Sequence, residues 1–320
     1  MVTVDMSTIT SIALHQDDLR ESDFRPDEID CSQDLHALLC GLEANLSLFK
    51  PERLRERLAA LDDLDAGFGG FEAQIVASQT TSRLHRRAKA LQVELEGVNA
   101  ALYQSIRSEM VSGGHPRRLL QWLPAQSPHG SESPSPGLGF DFRDELVSGV
   151  LQLCEPSAPS LPRFPEMVPY QPTPARHILH LIKASALSDD DLLVDLGSGL
   201  GHVPLLVSRL SGARSLGIEV QPAYVVSAQK CAQSLRLSRV RFISEDARRA
   251  DLSTGTVFYL YSPFTGSILT GVLSALRRES ARRSIKICSL GPCTRILANQ
   301  SWLKASAVPD PERVTVFESR

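Results

Sequence analysis

Cysteine is scarce in this chain: six in 320 residues, Cys31, Cys40, Cys154, Cys231, Cys288 and Cys293. They are too few and too scattered for the disulfide framework by which small secreted domains compensate for a thin core. A reducing cytoplasm is therefore the expected location. Cys288 and Cys293 stand five apart around Gly291 and Pro292, a spacing unlike that of a zinc knuckle, and belong in or after a strand. His177 and His180 lie three apart with no third ligand near them in sequence, so no metal is expected. No apolar run approaches the roughly 18 to 20 residues that cross a bilayer. Met1 to Thr10 has no basic stretch followed by an apolar core, so neither membrane insertion nor secretion is expected. A Gly-x-Ser-x-Gly elbow and a Walker loop are both missing, as is any internal repeat. What is there is ordinary in amount: 42% hydrophobic and 22% charged residues, enough for a soluble chain of two compact domains.

The net charge of -3 sums two unlike parts. Leu205 to Ala305 holds 15 Lys+Arg and 5 Asp+Glu, or +10, while the remainder holds 19 basic and 32 acidic residues, or -13. Within the basic part, Arg277, Arg278, Arg282 and Arg283 cluster near the end of an expected helix, and Arg248 and Arg249 form a second pair. Cations at a helix C-terminus complement its dipole. The alternative is a basic face that takes an acidic protein surface, the acidic companion domain or RNA, although no aromatic residues interleave the arginines.

The first thirty residues carry eight acids and two arginines with little apolar periodicity, and are expected to be loosely ordered. From residue 31 to 123 the spacing turns helical: Leu35, Leu38, Leu39 and Leu42 share a face, and Pro51 suits the first turn of the next helix. Leu84, Leu91 and Val98 recur every seven residues, as do Ala88, Leu95 and Leu102, the seam of a helix packed lengthwise in a bundle or a short coiled coil. Residues 124–140 are rich in proline, serine and glycine and predict a linker. In the domain of residues 141–320, Asp141 to Cys154 reads as a short helix. Glu155 to Pro174 has seven prolines, but its Phe164, Met167, Val168 and Tyr170 predict an ordered, packed stretch. Beyond Ala175, helices alternate with short apolar strands at Leu192–Asp195, Ser215–Glu219, Val240–Ile243, Val257–Tyr261, Ile285–Cys288 and Arg313–Glu318. Such alternation predicts a doubly wound α/β fold with a mostly parallel sheet, preceded by an all-α domain.

Leu192 to Val207, LLVDLGSGLGHVPLLV, holds the most chemistry. A buried strand ends in Asp195, and Gly197, Gly199 and Gly201 then lead into a helix, a turn that lets a ligand lie against bare backbone at the helix N-terminus. A dinucleotide site requires glycine or alanine where this chain has His202. A nucleoside bearing two vicinal hydroxyls, an exocyclic amine and an amino-acid end is addressed by carboxylates at successive strand ends. The second such acid is Glu219, 18 residues after Gly201; the third is Asp246 or its neighbour Glu245.

The run Asp195-Leu196-Gly197-Ser198-Gly199-Leu200-Gly201, followed by Glu219, resembles class I S-adenosylmethionine-dependent methyltransferases, whose sheet is seven-stranded and Rossmann-like. The resemblance implies S-adenosyl-L-methionine as cofactor. It further implies that Asp195, Gly197, Ser198, Gly199 and Gly201 hold the methionine part, that Glu219 accepts both ribose hydroxyls, and that Asp246 or Glu245 meets the adenine amine. Within that class, VDLGSGLG preceded by Tyr170-Gln171-Pro172-Thr173-Pro174 is similar to the disruptor-of-telomeric-silencing type of lysine methyltransferase over about residues 141 to 320. By that likeness Tyr170 and Thr173 close the cofactor pocket, and a protein side chain such as lysine is the acceptor. At the end of the fourth strand that family has an asparagine pair where this chain has Tyr261-Ser262-Pro263-Phe264. The tetrapeptide is also close to the acid-or-amide, Pro, Pro, aromatic motif of amino-group methyltransferases. Pro263 and Phe264 are expected to wall the acceptor, and Tyr261 to orient it, stack on adenine or simply pack at the strand end. The expected activity is methyl transfer to a nucleophile, with small-molecule or RNA acceptors, or a non-catalytic cofactor-binding or assembly protein, as alternatives. These motifs encode neither the acceptor nor the oligomeric state.

Overall fold

The computed structural model describes residues 26–68, 79–114, 116–123, 139–156, 161–162 and 164–320. Helices α1 (Pro26–Ala44), α2 (Leu54–Phe68), α3 (Gln79–Val111), α4 (Arg117–Trp122), α5 (Phe142–Leu151) and α6 (Ala175–Ser185) come first. Strands and helices then alternate: β1 (Leu192–Leu196), α7 (His202–Leu210), β2 (Arg214–Glu219), α8 (Pro222–Ser234), β3 (Val240–Ser244), β4 (Val257–Tyr261), α9 (Gly266–Ser280), β5 (Lys286–Leu290), α10 (Cys293–Ala298), β6 (Leu303–Ala305) and β7 (Thr315–Ser319). No helix among the described residues is long and apolar enough to cross a membrane.

The seven strands form one sheet in the order β3-β2-β1-β4-β5-β7-β6. The first five are mutually parallel, and β7 is antiparallel to both of its neighbours. The expected doubly wound, mostly parallel sheet is present. Its central strands β1, β4 and β5 are buried on both faces, whereas β3 and β6 at the sheet edges are partly exposed. Leu193, Val257, Tyr259 and Cys288 face one core with residues of α5 to α8; Val194, Leu196, Phe258 and Leu260 face another with residues of α9 and α10. Strand order reverses at β1, between β2 and β4, and this opens a crevice at the carboxyl ends of the strands. Helix α5 enters the core through a capping box: Asp141 accepts from Arg143 N–H at 2.8 Å, and Asp144 accepts from Asp141 N–H at 2.6 Å.

The chain divides into two compact units, one of residues up to Leu46 with Ala60–Gln92, the other of Ser47–Ala59 with Val93–Arg320. The expected domain boundary at residue 123 is therefore displaced. Ile106, Met110, Leu119 and Leu123 are buried in the same apolar cluster as Leu193 and Val257, so the end of α3 and all of α4 belong with the sheet. In the first unit, Leu84, Ala88 and Leu91 of α3 are buried, and Arg87 makes a bidentate pair with Glu43. The seven-residue repeat then gives way. Asn99, Ile106 and Met110 are the buried positions beyond Leu95, as a straight helix of 3.6 residues per turn requires. Two local expectations change as well. Helix α1 begins at Pro26, inside the stretch read as loose, with proline and then acids in its first turn. Pro51 lies in a turn ahead of α2, and the buried Arg57 holds that turn by donating to the Leu48 and Lys50 carbonyls at 2.8 Å each and to Asn99 Oδ1 at 2.6 Å. The expected loose segment up to residue 25 and the linker over 124–138 lie outside the described residues.

Candidate active site

Asp195 ends β1 next to the point where strand order reverses, and the Gly197–Gly201 turn carries the chain from it into α7. Gly197, Gly199 and Gly201 have φ of 88°, 53° and 87°, the left-handed region that side chains disfavour. Each glycine also lies close under another side chain, which leaves no room for a Cβ. A Cβ on Gly197 would sit 2.4 Å from Pro263, on Gly199 2.2 Å from Tyr170, and on Gly201 2.5 Å from Phe242. Gly199 and Gly201 do not border the cavity beside them, whereas Gly197 and the remaining expected site residues do.

That cavity, of about 770 Å³, runs along the carboxyl ends of the strands and falls within the usual size of a ligand site. Its charged lining is all acidic: Glu155, Asp195, Glu219, Glu245 and Asp246. Glu219 is buried, and its two oxygens each accept a backbone N–H at 2.9 Å, one from Gly199 and one from Gln221. The carboxylate is thus fixed in orientation with further lone pairs to offer. Burial, and then the charge of Glu219, raise the Asp195 carboxyl well above its usual range. Ser198 Oγ is buried with no hydrogen-bond partner among the described residues. Asp246 departs from its expected role: Arg248 takes its carboxylate through Nε at 3.0 and 3.1 Å and through its own N–H at 2.9 Å, which lowers the Asp246 pKa. Glu245, its neighbour, lines the cavity without that pairing.

A strap of residues 164–174 covers one side. Glu166 caps α9, accepting from Ser267 N–H at 2.9 Å and Ile268 N–H at 3.1 Å; Val168 N–H donates to Pro263 O at 3.1 Å; Met167 forms a bridge with Phe264. Of the apolar residues expected to pack this stretch, Met167 and Tyr170 do so, whereas Phe164 and Val168 are exposed. Tyr170 packs 5.2 Å from the Tyr224 ring, and its hydroxyl pairs with His202 Nδ1 at 3.2 Å. Thr173 pairs with Tyr259 Oη at 3.3 Å beneath the strap.

Beyond β4 and β5 the lining carries no charge. Tyr261 is partly buried, and its hydroxyl has no partner among the described residues. Ser262 has a φ of 41°, a strained value for a residue other than glycine. Its hydroxyl holds it there, donating to Leu290 O at 3.1 Å and accepting from Cys293 N–H at 3.0 Å.

Five parallel strands with β7 inserted antiparallel between β5 and β6, and acids at the ends of β1 and β2, decide the architecture. The chain has the class I methyltransferase fold. No family profile and no curated protein matches the sequence. Among solved structures, it is similar to an RNA methyltransferase from Salinibacter ruber in complex with S-adenosyl-L-homocysteine, at 27% identity over 47% of this chain and 92% of that one, TM-score 0.39. It is also similar to the Pyrococcus abyssi tRNA (uracil-54, C5)-methyltransferase, at 16% identity over 47% and 40%, TM-score 0.37. A mutant of MtNAS matches at 14% identity over 91% and 97%, TM-score 0.38. The fold assignment rests on the strand order.

In this methyltransferase fold, sequence reasoning missed Gln221, whose side-chain amide pairs with Leu161 N–H and C=O at 2.9 Å each. It also missed Tyr224, Pro292 and Ile296, which reach the cavity only through packing. Helix α9 starts at the cavity, where Ile268 and Leu269 line it, and at about 1.5 Å per residue its Arg277 and Arg278 end lies on the order of 15 Å away along the axis. Arg283 is structural, donating to the Leu252 and Gly255 carbonyls.

Burial holds His202 down at about 4, against 6.5 for the free side chain. Between these values the unfolded chain binds a proton that the folded one declines, so stability should fall as pH drops from 6.5 towards 4. Urea midpoints across that range should show the decline in wild type and a flatter profile in His202→Gln. Asp195 acts in the opposite sense: its raised pKa favours the folded state at low pH, and that contribution is lost as pH rises through the raised value.

Proposed function

We propose that the cavity binds S-adenosyl-L-methionine and that the chain transfers its methyl group to a nucleophile. The observation that carries this reading is the acidic half of the cavity: Glu219, oriented by two backbone N–H groups, stands beside a buried Asp195 and an unpartnered Ser198 hydroxyl. Two ribose hydroxyls need an oriented acceptor pair, and an ammonium group needs negative charge with no competing cation; no lysine or arginine lines the cavity among the described residues. Glu219 would take the ribose, Asp195 and Ser198 the amino-acid end, Glu245 the adenine amine, and Tyr170 and Thr173 would close the strap side. Glu245 replaces Asp246 in that role because Arg248 holds the Asp246 carboxylate.

When bound, the cofactor supplies a methyl group on a strongly activated leaving group, so alignment of the nucleophile contributes most of the acceleration. The locked turn at Ser262 fixes Tyr261, Pro263 and Phe264 at the acceptor end. The sequence likeness to the disruptor-of-telomeric-silencing type implies a protein side chain such as lysine as acceptor, but no carboxylate lines the acceptor end among the described residues to take an ammonium, so the acceptor is proposed only as a nucleophile.

Titration calorimetry with S-adenosyl-L-methionine tests the reading. Wild type should bind, and Asp195→Ala should bind at least about tenfold more weakly with its fold retained. A wild type that takes up no cofactor would sink the proposal. Binding without transfer of radiolabelled methyl to any fraction of a lysate would favour a non-catalytic cofactor-binding protein.

A further inference from the structure

Charge divides the cavity. Its five carboxylates come from the loop after α5, the last residues of β1 and β2, and the loop after β3, whereas every lining residue after β4 and β5 is uncharged. That second half is walled by Pro263, Phe264, Pro292 and Ile296, with Met167 and Val168 of the strap opposite. Its contiguity is set by hydrogen bonds: Ser262 ties the β4 end to the start of α10, and Val168 ties the strap to Pro263. At the mouth, Val168 and Ile296 are each 43% exposed, an apolar rim with no cation beside it in the lining. One polar atom is left over, the Tyr261 hydroxyl, buried and without a partner among the described residues.

We infer that the methyl acceptor is a small, uncharged, largely apolar molecule, seated between Phe264, Pro292 and Ile296. The inference rests on the cofactor reading above. A polyanion is disfavoured because no cation lines this half among the described residues. A lysine ammonium is disfavoured because no carboxylate does, and an unpaired charge is costly against an apolar wall. An apolar body gains roughly 25 cal/mol per Å² of surface removed from water. In the transfer, a lone pair of the acceptor heteroatom forms the bond to the methyl carbon, the carbon–sulfur pair returns to sulfur as a neutral thioether, and the acceptor's proton leaves to water at the mouth.

The test uses full-length protein saturated with S-adenosylhomocysteine and naphthol as the probe, followed by its own fluorescence. Naphthol should bind the wild type, and Ile296→Asp should weaken it by about tenfold or more by placing a charge on the apolar rim, with S-adenosylhomocysteine affinity retained. Naphthol that fails to bind, or that binds wild type and Ile296→Asp equally, overturns the inference. So does binding of a single-stranded RNA or a lysine-containing peptide that naphthol does not displace. Failure of S-adenosylhomocysteine itself to bind would show separately, and would overturn the cofactor reading together with this one.

Discussion

Glu219→Ala is expected to weaken S-adenosyl-L-methionine binding between about a hundredfold and ten-thousandfold. Two hydrogen bonds from ribose hydroxyls to a carboxylate are charge-assisted, each worth about 1.5–3 kcal/mol, and every 1.4 kcal/mol is tenfold in Kd. The same carboxylate also accepts from Gly199 and Gln221 N–H, so the variant should melt several degrees lower even without ligand. Glu219→Gln separates the two effects. It keeps one of the two backbone acceptors and sets its amide NH2 against the other backbone N–H, so its melting temperature should fall between those of alanine and wild type while its affinity stays well below wild type. Calorimetry and thermal melts on the three proteins check both parts; an alanine variant that binds as wild type does would remove Glu219 from the site.

The largest stability effect is expected at Arg57, whose side chain is fully buried and donates to Asn99 Oδ1 and to the Leu48 and Lys50 carbonyls. Burial lowers its pKa, and no carboxylate forms a salt bridge with it among the described residues. Its guanidinium is therefore held by neutral acceptors, which suits a weakly hydrated planar cation with five donors. Arg57→Ala strands those three acceptors and opens a cavity beside Leu48, and should cost about 3–5 kcal/mol. Arg57→Lys should recover only part of this, because one ammonium cannot span the same fork. Urea unfolding gives the comparison directly. An alanine variant within about 1 kcal/mol of wild type would mean that water replaces the guanidinium at little cost.

Much of the sheet and its acids was legible in the sequence for a physical reason. Parallel strands covered on both faces are continuous apolar runs, and a strand that must turn at once into a helix announces itself by glycine. Leu192–Asp195 and Ser215–Glu219 could be read that way, with the ligand-facing acid as the last residue of each. Strand β6, three residues long, and α10, six residues long, offer too few positions for any period to show. The occupants of the glycine turn were hidden because Tyr170 and Pro263 come from distant parts of the chain. Arg248 beside Asp246 was visible as two letters, but whether such neighbours meet depends on the turn between them. Helical spacing in α3 showed a buried face without showing what buries it, and the domain boundary was misplaced for that reason.

The division of α3 bears on how this protein can be cut. Leu54, Ile106, Met110 and Leu119 stand in the core that packs the sheet, so the catalytic-type domain is not a cassette that begins at residue 141. A fragment started there would bare an oily flank of its own sheet layer and is expected to aggregate or to require a detergent-like partner. The residues ahead of that point belong to the same apolar core, and a gene fusion that inherits only the glycine turn and its strands would leave one side of that core uncovered.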